Sequence, residues 1–219
     1  VIYHIKGIVL DLGCVGGVYR LGLNATLSPL HIKISQGSQF FTIGLDLNRP
    51  RLGILKKANP TLNLICADAY NLPFKNQALD TIIASELTEH LDNVGEFLDE
   101  IYRVLKKEGI LVGDVPNAYR FSYIFLLLFF SLPPSLNTTH IHLFDEWNLN
   151  LLFLQHKFKA EIFYIPRIYT GMSKVFTYLE KLFPKTTDWL GFRARKISLA
   201  NNQPSPAPPY EDKETGRVM

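Results

Sequence analysis

The chain has 219 residues, of which 47% are hydrophobic and 20% charged. Those proportions exclude global disorder and a fibrous repeat, and the length suits one domain with a small addition. The net charge of +3, from 23 Lys and Arg against 20 Asp and Glu, is too small to point to nucleic acid, and no such partner is expected. Two cysteines, Cys14 and Cys66, cannot build a disulfide framework or a four-cysteine zinc site. They suit a reducing compartment, and a cytoplasmic location is the expectation. The first apolar run is short and meets Asp11, so no secretory signal is expected there. Because the chain begins with Val1, a missing upstream segment is expected.

In chain order, residues 8–10 form a continuous apolar run, the pattern of a strand buried on both faces. Gly13, Gly16 and Gly17 break it. Residues 18–27 read as a helix stopped by Ser28-Pro29, and 28–39 as an insertion of less legible pattern. Strands are predicted at 40–46, 62–67, 79–84 and 110–115. A short helix over 51–58 is closed by Asn59-Pro60. Apolar residues at 94, 97, 98, 101, 104 and 105 predict a helix over 94–107, with Lys106, Lys107 and Gly109 as its C-terminal signature. Further helices are predicted over 146–158 and 174–183, and strands over 159–165 and 192–199, the last near the sheet edge. Strands alternating with helices indicate an α/β fold with a parallel sheet. The proline-rich and charged residues 201–219 read as a disordered tail.

The most apolar stretch is 121–132, FSYIFLLLFFSL. It is too short for a membrane-crossing helix, which needs about 20 residues, and Pro133-Pro134 stops it. It reads either as a buried or partner-facing helix or as an interfacial segment that meets a lipid-like substrate, with peripheral membrane contact through 121–132.

Chemistry-bearing residues cluster where strands end. In DLGCVGG, residues 11–17, glycines let the backbone turn tightly and approach a ligand, and Asp11 offers a carboxylate. Asp46 ends the second strand, where an acid can accept both ribose hydroxyls. Asp68-Ala69 follows the third strand, where a carboxylate and a backbone N–H can read an adenine edge. Ser85-Glu86 ends the fourth, with Glu89-His90 just beyond. Polar groups at the carboxyl ends of successive strands lie where open α/β sheets bind ligands.

These segments together resemble the class I S-adenosylmethionine-dependent methyltransferases. VLDLGCVGG (9–17), GLDLNRPRL (44–52), CADAYNLPF (66–74), LDTIIASELTEHLDN (79–93) and FLDEIYRVLKKEGILVGDVPN (97–117) carry the resemblance, and HIHLFDEWNLNLLFLQHKF (140–158) fits the family's later region. The resemblance implies a three-layer Rossmann-like sandwich with a mostly parallel seven-stranded sheet over residues 1–200, with 117–144 as a substrate-side insertion or lid. It implies S-adenosylmethionine as cofactor. Asp11, Gly13 and Gly17 would line its methionine part, Asp46 its ribose, Leu47 and Asp68 with Ala69 its adenine, and Ser85 would lie near the methionine. His90 is the candidate catalytic residue. Val15 stands where the family has glycine, so Gly16 is expected to take over the tight turn. The separation of Asp11 from Asp46, 46 − 11 = 35 residues, is longer than the roughly 20 of related nucleotide folds.

The methyl acceptor expected from the aromatic and aliphatic 117–144 segment is a small molecule or a lipid-linked one. His90, His140 and His142 are candidate bases should the acceptor have to lose a proton. The His140-x-His142 pair has metal-ligand character, but the sequence offers no convincing third ligand, so no metal is expected. Two competing readings are a non-catalytic relative that binds or scaffolds, and a nicotinamide-dependent oxidoreductase. Asp11 within the glycine turn and Asp68-Ala69 argue against the latter.

Overall fold

In the computed structural model, residues 5–16, 29–37, 40–131, 139–166 and 174–197 are described. Their strands are β1 (Ile8–Leu12), β2 (Phe41–Asp46), β3 (Leu64–Cys66), β4 (Leu79–Ser85), β5 (Leu105–Pro116), β6 (Phe158–Ile165) and β7 (Trp189–Lys196). Their helices are α1 (Pro29–Ser35), α2 (Arg49–Ala58), α3 (Val94–Val104), α4 (Phe121–Phe130), α5 (Glu146–Gln155) and α6 (Lys174–Leu182). One sheet holds the strands in the order β3-β2-β1-β4-β5-β7-β6. The first five are mutually parallel, and β7 runs antiparallel to both β5 and β6.

Burial on both faces makes this a three-layer sandwich. Successive residues of β1 alternate between two cores: Leu10 and Leu12 face one, Val9 the other. On the first face α3 contributes Val94, Phe97, Leu98, Ile101 and Val104, and α5 contributes Leu149 and Phe153. Each such side chain stabilises the fold by roughly 1.5–3 kcal/mol relative to exposure. On the second face Ile34 of α1 packs with Val9, Ile83, Ile110 and Val112. At the sheet centre Gly113 has no room for a side chain. A Cβ there would lie 2.0 Å from the Ala84 carbonyl oxygen and 2.6 Å from the Phe192 ring.

Several expectations are corrected. Pro29, within the stretch read as an insertion, begins α1, where its missing N–H costs no hydrogen bond. The helix predicted to run to 107 stops at Val104, and Gly109 is not its cap. Residues 106–109 instead bulge from β5, because Leu79 pairs with Leu105 while Thr81 pairs with Ile110. The strand predicted over 192–199 near the sheet edge is β7, which begins at Trp189 and lies next to the edge, between β5 and β6, with Leu190, Phe192 and Ala194 buried. The edge strand is β6, whose Lys159, Glu161 and Phe163 alternate to solvent. The helix expected over 18–27 and the tail over 201–219 lie outside the described residues.

Arg103 on α3 clamps the loop that follows β3. Its guanidinium donates to the carbonyls of Leu72 and Phe74, to Asn76 and to Glu100, whose Oε1 also accepts the Leu72 N–H at 2.6 Å. The Arg103 hydrogen bond holds the Glu100 carboxyl below its ordinary value. A carboxyl depressed in the folded state contributes fully above its unfolded value of 4.5 and loses that contribution as pH falls through the folded value. Glu100→Gln should therefore be less stable than the parent at pH 7, with the gap narrowing below pH of about 4, as urea unfolding at both pH values will show. Gly113→Ala should cost more than about 3 kcal/mol in the same assay, since overpacking here strikes backbone rather than a flexible side chain.

Candidate active site at the carboxyl edge of the sheet

Parallel pairing of β3, β2, β1 and β4 brings their carboxyl ends to one rim. In that order the rim carries Asp68, Asp46, the turn after Leu12, and Ser85. The turn is stapled to β2: the Leu45 carbonyl accepts from the N–H groups of Gly13 (2.9 Å) and Cys14 (3.2 Å). Gly13 and Gly16 take left-handed φ values of +69° and +68°, which glycine adopts without strain. Val15 keeps a negative φ and buries its side chain with Leu52, Leu55 and Leu62. Gly16 thus takes the turn conformation that valine resists, as expected. Among the described residues, its two chain neighbours aside, no atom lies within 4 Å of the Cβ position at Gly16. Arg51 of α2 donates to the Gly16 carbonyl and pins the end of the turn.

Asp46 is half-buried at the end of β2. Its Oδ2 accepts the Val15 N–H at 3.3 Å, and its Oδ1 accepts the Asn48 N–H at 2.8 Å. Leu47 beside it is 70% exposed. Asp68 is exposed and accepts the Tyr70 N–H at 3.0 Å, and Ala69 is half-buried next to it. Ser85 is half-buried at the end of β4 and donates to Asp114 of β5. Burial raises the Asp114 carboxyl, partly offset by that Ser85 hydrogen bond. Glu86 follows at φ +50°, a strained value for a non-glycine residue. Gly17 lies outside the described residues.

Asp11 is placed differently from the expectation of a ligand-lining carboxylate. It is 2% exposed, and its Oδ2 sits 3.0 Å from Nδ1 of His31, itself fully buried on α1. Desolvation raises the Asp11 carboxyl, and the His31 hydrogen bond and charge oppose that rise. The stretch read as an insertion thus supplies a buried partner to the first site carboxylate. His31 is a residue that sequence reasoning missed. The available signal was Pro29 as a helix start, with Leu30 and Ile34 one turn apart. Cys14 beside this pair is a buried thiol, pushed well up by desolvation, so it is not a nucleophile.

Beyond Ser85 a 3-10 turn, Thr88–His90, carries Glu89 and His90. Nδ1 of His90 lies 2.8 Å from the Thr139 carbonyl oxygen. A carbonyl only accepts, so Nδ1 bears the proton and Nε2 the lone pair. His90 and His140 meet edge-on with ring centroids 4.9 Å apart. His142 turns instead toward Phe144, at 5.9 Å. The apolar α4 follows, with Tyr123 buried under the Arg120 guanidinium and Leu127, Leu128, Phe129 and Phe130 exposed. Among the described residues no helix is long and apolar enough to cross a membrane.

Residues 10–113 match a family model described as "Methyltransferase domain". A phthiotriol/phenolphthiotriol dimycocerosates methyltransferase of Mycobacterium ulcerans is 30% identical over 106 residues, 48% of this chain and 35% of that protein. The rat mitochondrial ubiquinone biosynthesis O-methyltransferase is 30% identical over 129 residues, 55% of this chain and 34% of that protein. The chain thus spans about a third of the length of these two relatives. A solved SAM-dependent methyltransferase from Archaeoglobus fulgidus superposes with a TM-score of 0.60 at 17% identity, covering 87% of this chain and 86% of that one, which establishes the fold.

Removing His31 takes a hydrogen-bond partner from the buried Asp11 carboxyl. His31→Ala should destabilise by about 3 kcal/mol, and Asp11→Asn in that background should recover part of the loss, as read from urea unfolding.

Proposed function

We propose that this chain, whose residues 10–113 match a methyltransferase-domain model, belongs to the class I S-adenosylmethionine-dependent methyltransferases and transfers a methyl group from that cofactor to an apolar or lipid-linked acceptor. The observation that carries the reading is Asp46. One carboxylate both ties down the glycine turn through Val15 and stands half-exposed at the rim, between that turn and the exposed Leu47. These residues fit the cofactor. Asp46 would accept the ribose hydroxyls, Leu47 would lie against the adenine, and Asp68 with the Ala69 N–H would hold its edge. Gly13 and Gly16 leave the methionine end room to approach the backbone. Asp11 would act from beneath, through the His31 pair rather than by direct contact.

The bound cofactor supplies an activated methyl on a positively charged sulfur. The remaining work falls to positioning and exclusion of water. Ser85 and Asp114 border the rim on the side where the methionine end would rest. Where the acceptor must lose a proton, Nε2 of His90 carries the lone pair that could take it.

For the acceptor, support comes from the wall after β5. Residues 115–144 contain no Asp or Glu, and α4 exposes four large apolar side chains in its last turn. Such a surface suits an apolar chain or a lipid layer better than a polar metabolite. One relative's name specifies a dimycocerosate acceptor and another's a ubiquinone pathway, which supports the same class. A cytoplasmic setting is proposed alongside, supported by the free thiols of Cys14 and exposed Cys66.

Calorimetric titration with S-adenosylhomocysteine tests this reading. One site per chain is expected, and Asp46→Ala should weaken binding roughly tenfold or more, the loss of about 1.4 kcal/mol of hydrogen bonding. Absence of binding at millimolar ligand would favour the second reading, a methyltransferase fold kept for scaffolding. The buried engagement of Asp11 is the observation that favours that second reading.

A further inference from the structure

One cluster near the rim is not absorbed by cofactor binding. Glu89 is 1% exposed, and among the described residues neither carboxylate oxygen has a hydrogen-bond partner. A buried carboxyl with no donor is costly, and such a group calls for an explanation. Around it stand two imidazoles. One ligand atom each from Glu89, His90 and His140 lies within 4.8 Å of the others.

We propose that Glu89, His90 and His140 form a binding site for a divalent transition cation of the zinc, cobalt or manganese type. Three features beyond proximity support it. First, the Nδ1 proton of His90 is committed to the Thr139 carbonyl at 2.8 Å, which leaves Nε2 to ligate. Metal-binding histidines characteristically donate their other N–H to a carbonyl or carboxylate in this way. Second, the two halves of the site are held together by the backbone. The Glu89 carbonyl accepts from the N–H groups of Ile141 (2.8 Å) and His142 (3.3 Å), which fixes the segment bearing His140 against the turn bearing Glu89. Third, the donor set is one carboxylate and two imidazoles. Nitrogen donors select borderline transition cations over magnesium or calcium, which prefer oxygen.

Three protein ligands leave at least one coordination position for a water or another oxygen, as in catalytic rather than structural sites. A cation there would occupy the His90 lone pair. Its charge, not the imidazole, would then favour loss of a proton from a hydroxyl bound beside it. That consequence rests on the methyl-transfer reading; cation binding itself does not.

The test is a titration of chelator-stripped protein with cobalt(II) alone, followed by its visible absorption, with zinc(II) as competitor. Saturation at one cobalt per chain and displacement by zinc are expected. Glu89→Gln and His140→Ala should each weaken binding tenfold or more, while His156→Ala, a histidine paired with Asp99 on another part of the surface, should leave it unchanged. Far-ultraviolet circular dichroism confirms that each variant is folded. Should Glu89→Gln not fold, the half-buried His140 decides the matter. No saturable binding by the parent chain, equal affinity in the folded variants, or loss of binding in His156→Ala would overturn the proposal. A parallel titration of the metal-free protein with S-adenosylhomocysteine separates failure of this proposal from failure of the cofactor reading.

Discussion

Strand β1 has a parallel neighbour on each side, β2 through five paired positions and β4 through three. Chain direction therefore forces the ends of β3, β2, β1 and β4 onto one rim, whatever the loops between them do. The rim becomes a site because the first turn is held down. The Leu45 carbonyl binds two of its N–H groups, the Asp46 carboxylate binds a third, and the Val15 side chain anchors it in the core under α2. A loop fixed at both backbone and side chain presents its glycines in one conformation. Preorganisation of this kind lets a ligand bind without the cost of ordering the loop.

Much of this is legible in the sequence, because it is local. The apolar run of β1, the i, i+3, i+4 spacing of α3 and the acid after each strand are carried by residues a few positions apart. The turn is read correctly for the same reason: a valine resists positive φ, so the adjacent Gly16 takes it. The errors lie where two local signals competed. Lys106, Lys107 and Gly109 look like a helix end, yet pairing of Leu105 with Leu79 draws that segment into β5 and leaves 106–109 as a bulge. Pro29 can stop a helix or start one, and it stands at the start of α1.

What the sequence hides is contact at long range. His31 reaches Asp11 across 20 residues, and no spacing rule links them. Glu89 and His140 are 140 − 89 = 51 residues apart and belong to a turn and a loop on different elements. The His140-x-His142 spacing points to the wrong pair, since the two rings face different neighbours and His140 meets His90 instead. Two backbone hydrogen bonds to the Glu89 carbonyl, together with the His90 bond to the Thr139 carbonyl, bring His140 to the carboxylate and to His90. The chemistry of the rim thus comes in two layers: acids and glycines set by strand ends, and histidines delivered by loops that fold back over them.

Hydrogen–deuterium exchange with and without S-adenosylhomocysteine tests most directly whether the rim is the cofactor site. Slowed exchange is expected in peptides covering residues 13–16, 46–48 and 68–70, with the β6 edge at the far side of the sheet unchanged. Slowing confined to β6 and β7, or no change at the rim under saturating ligand, would contradict the account.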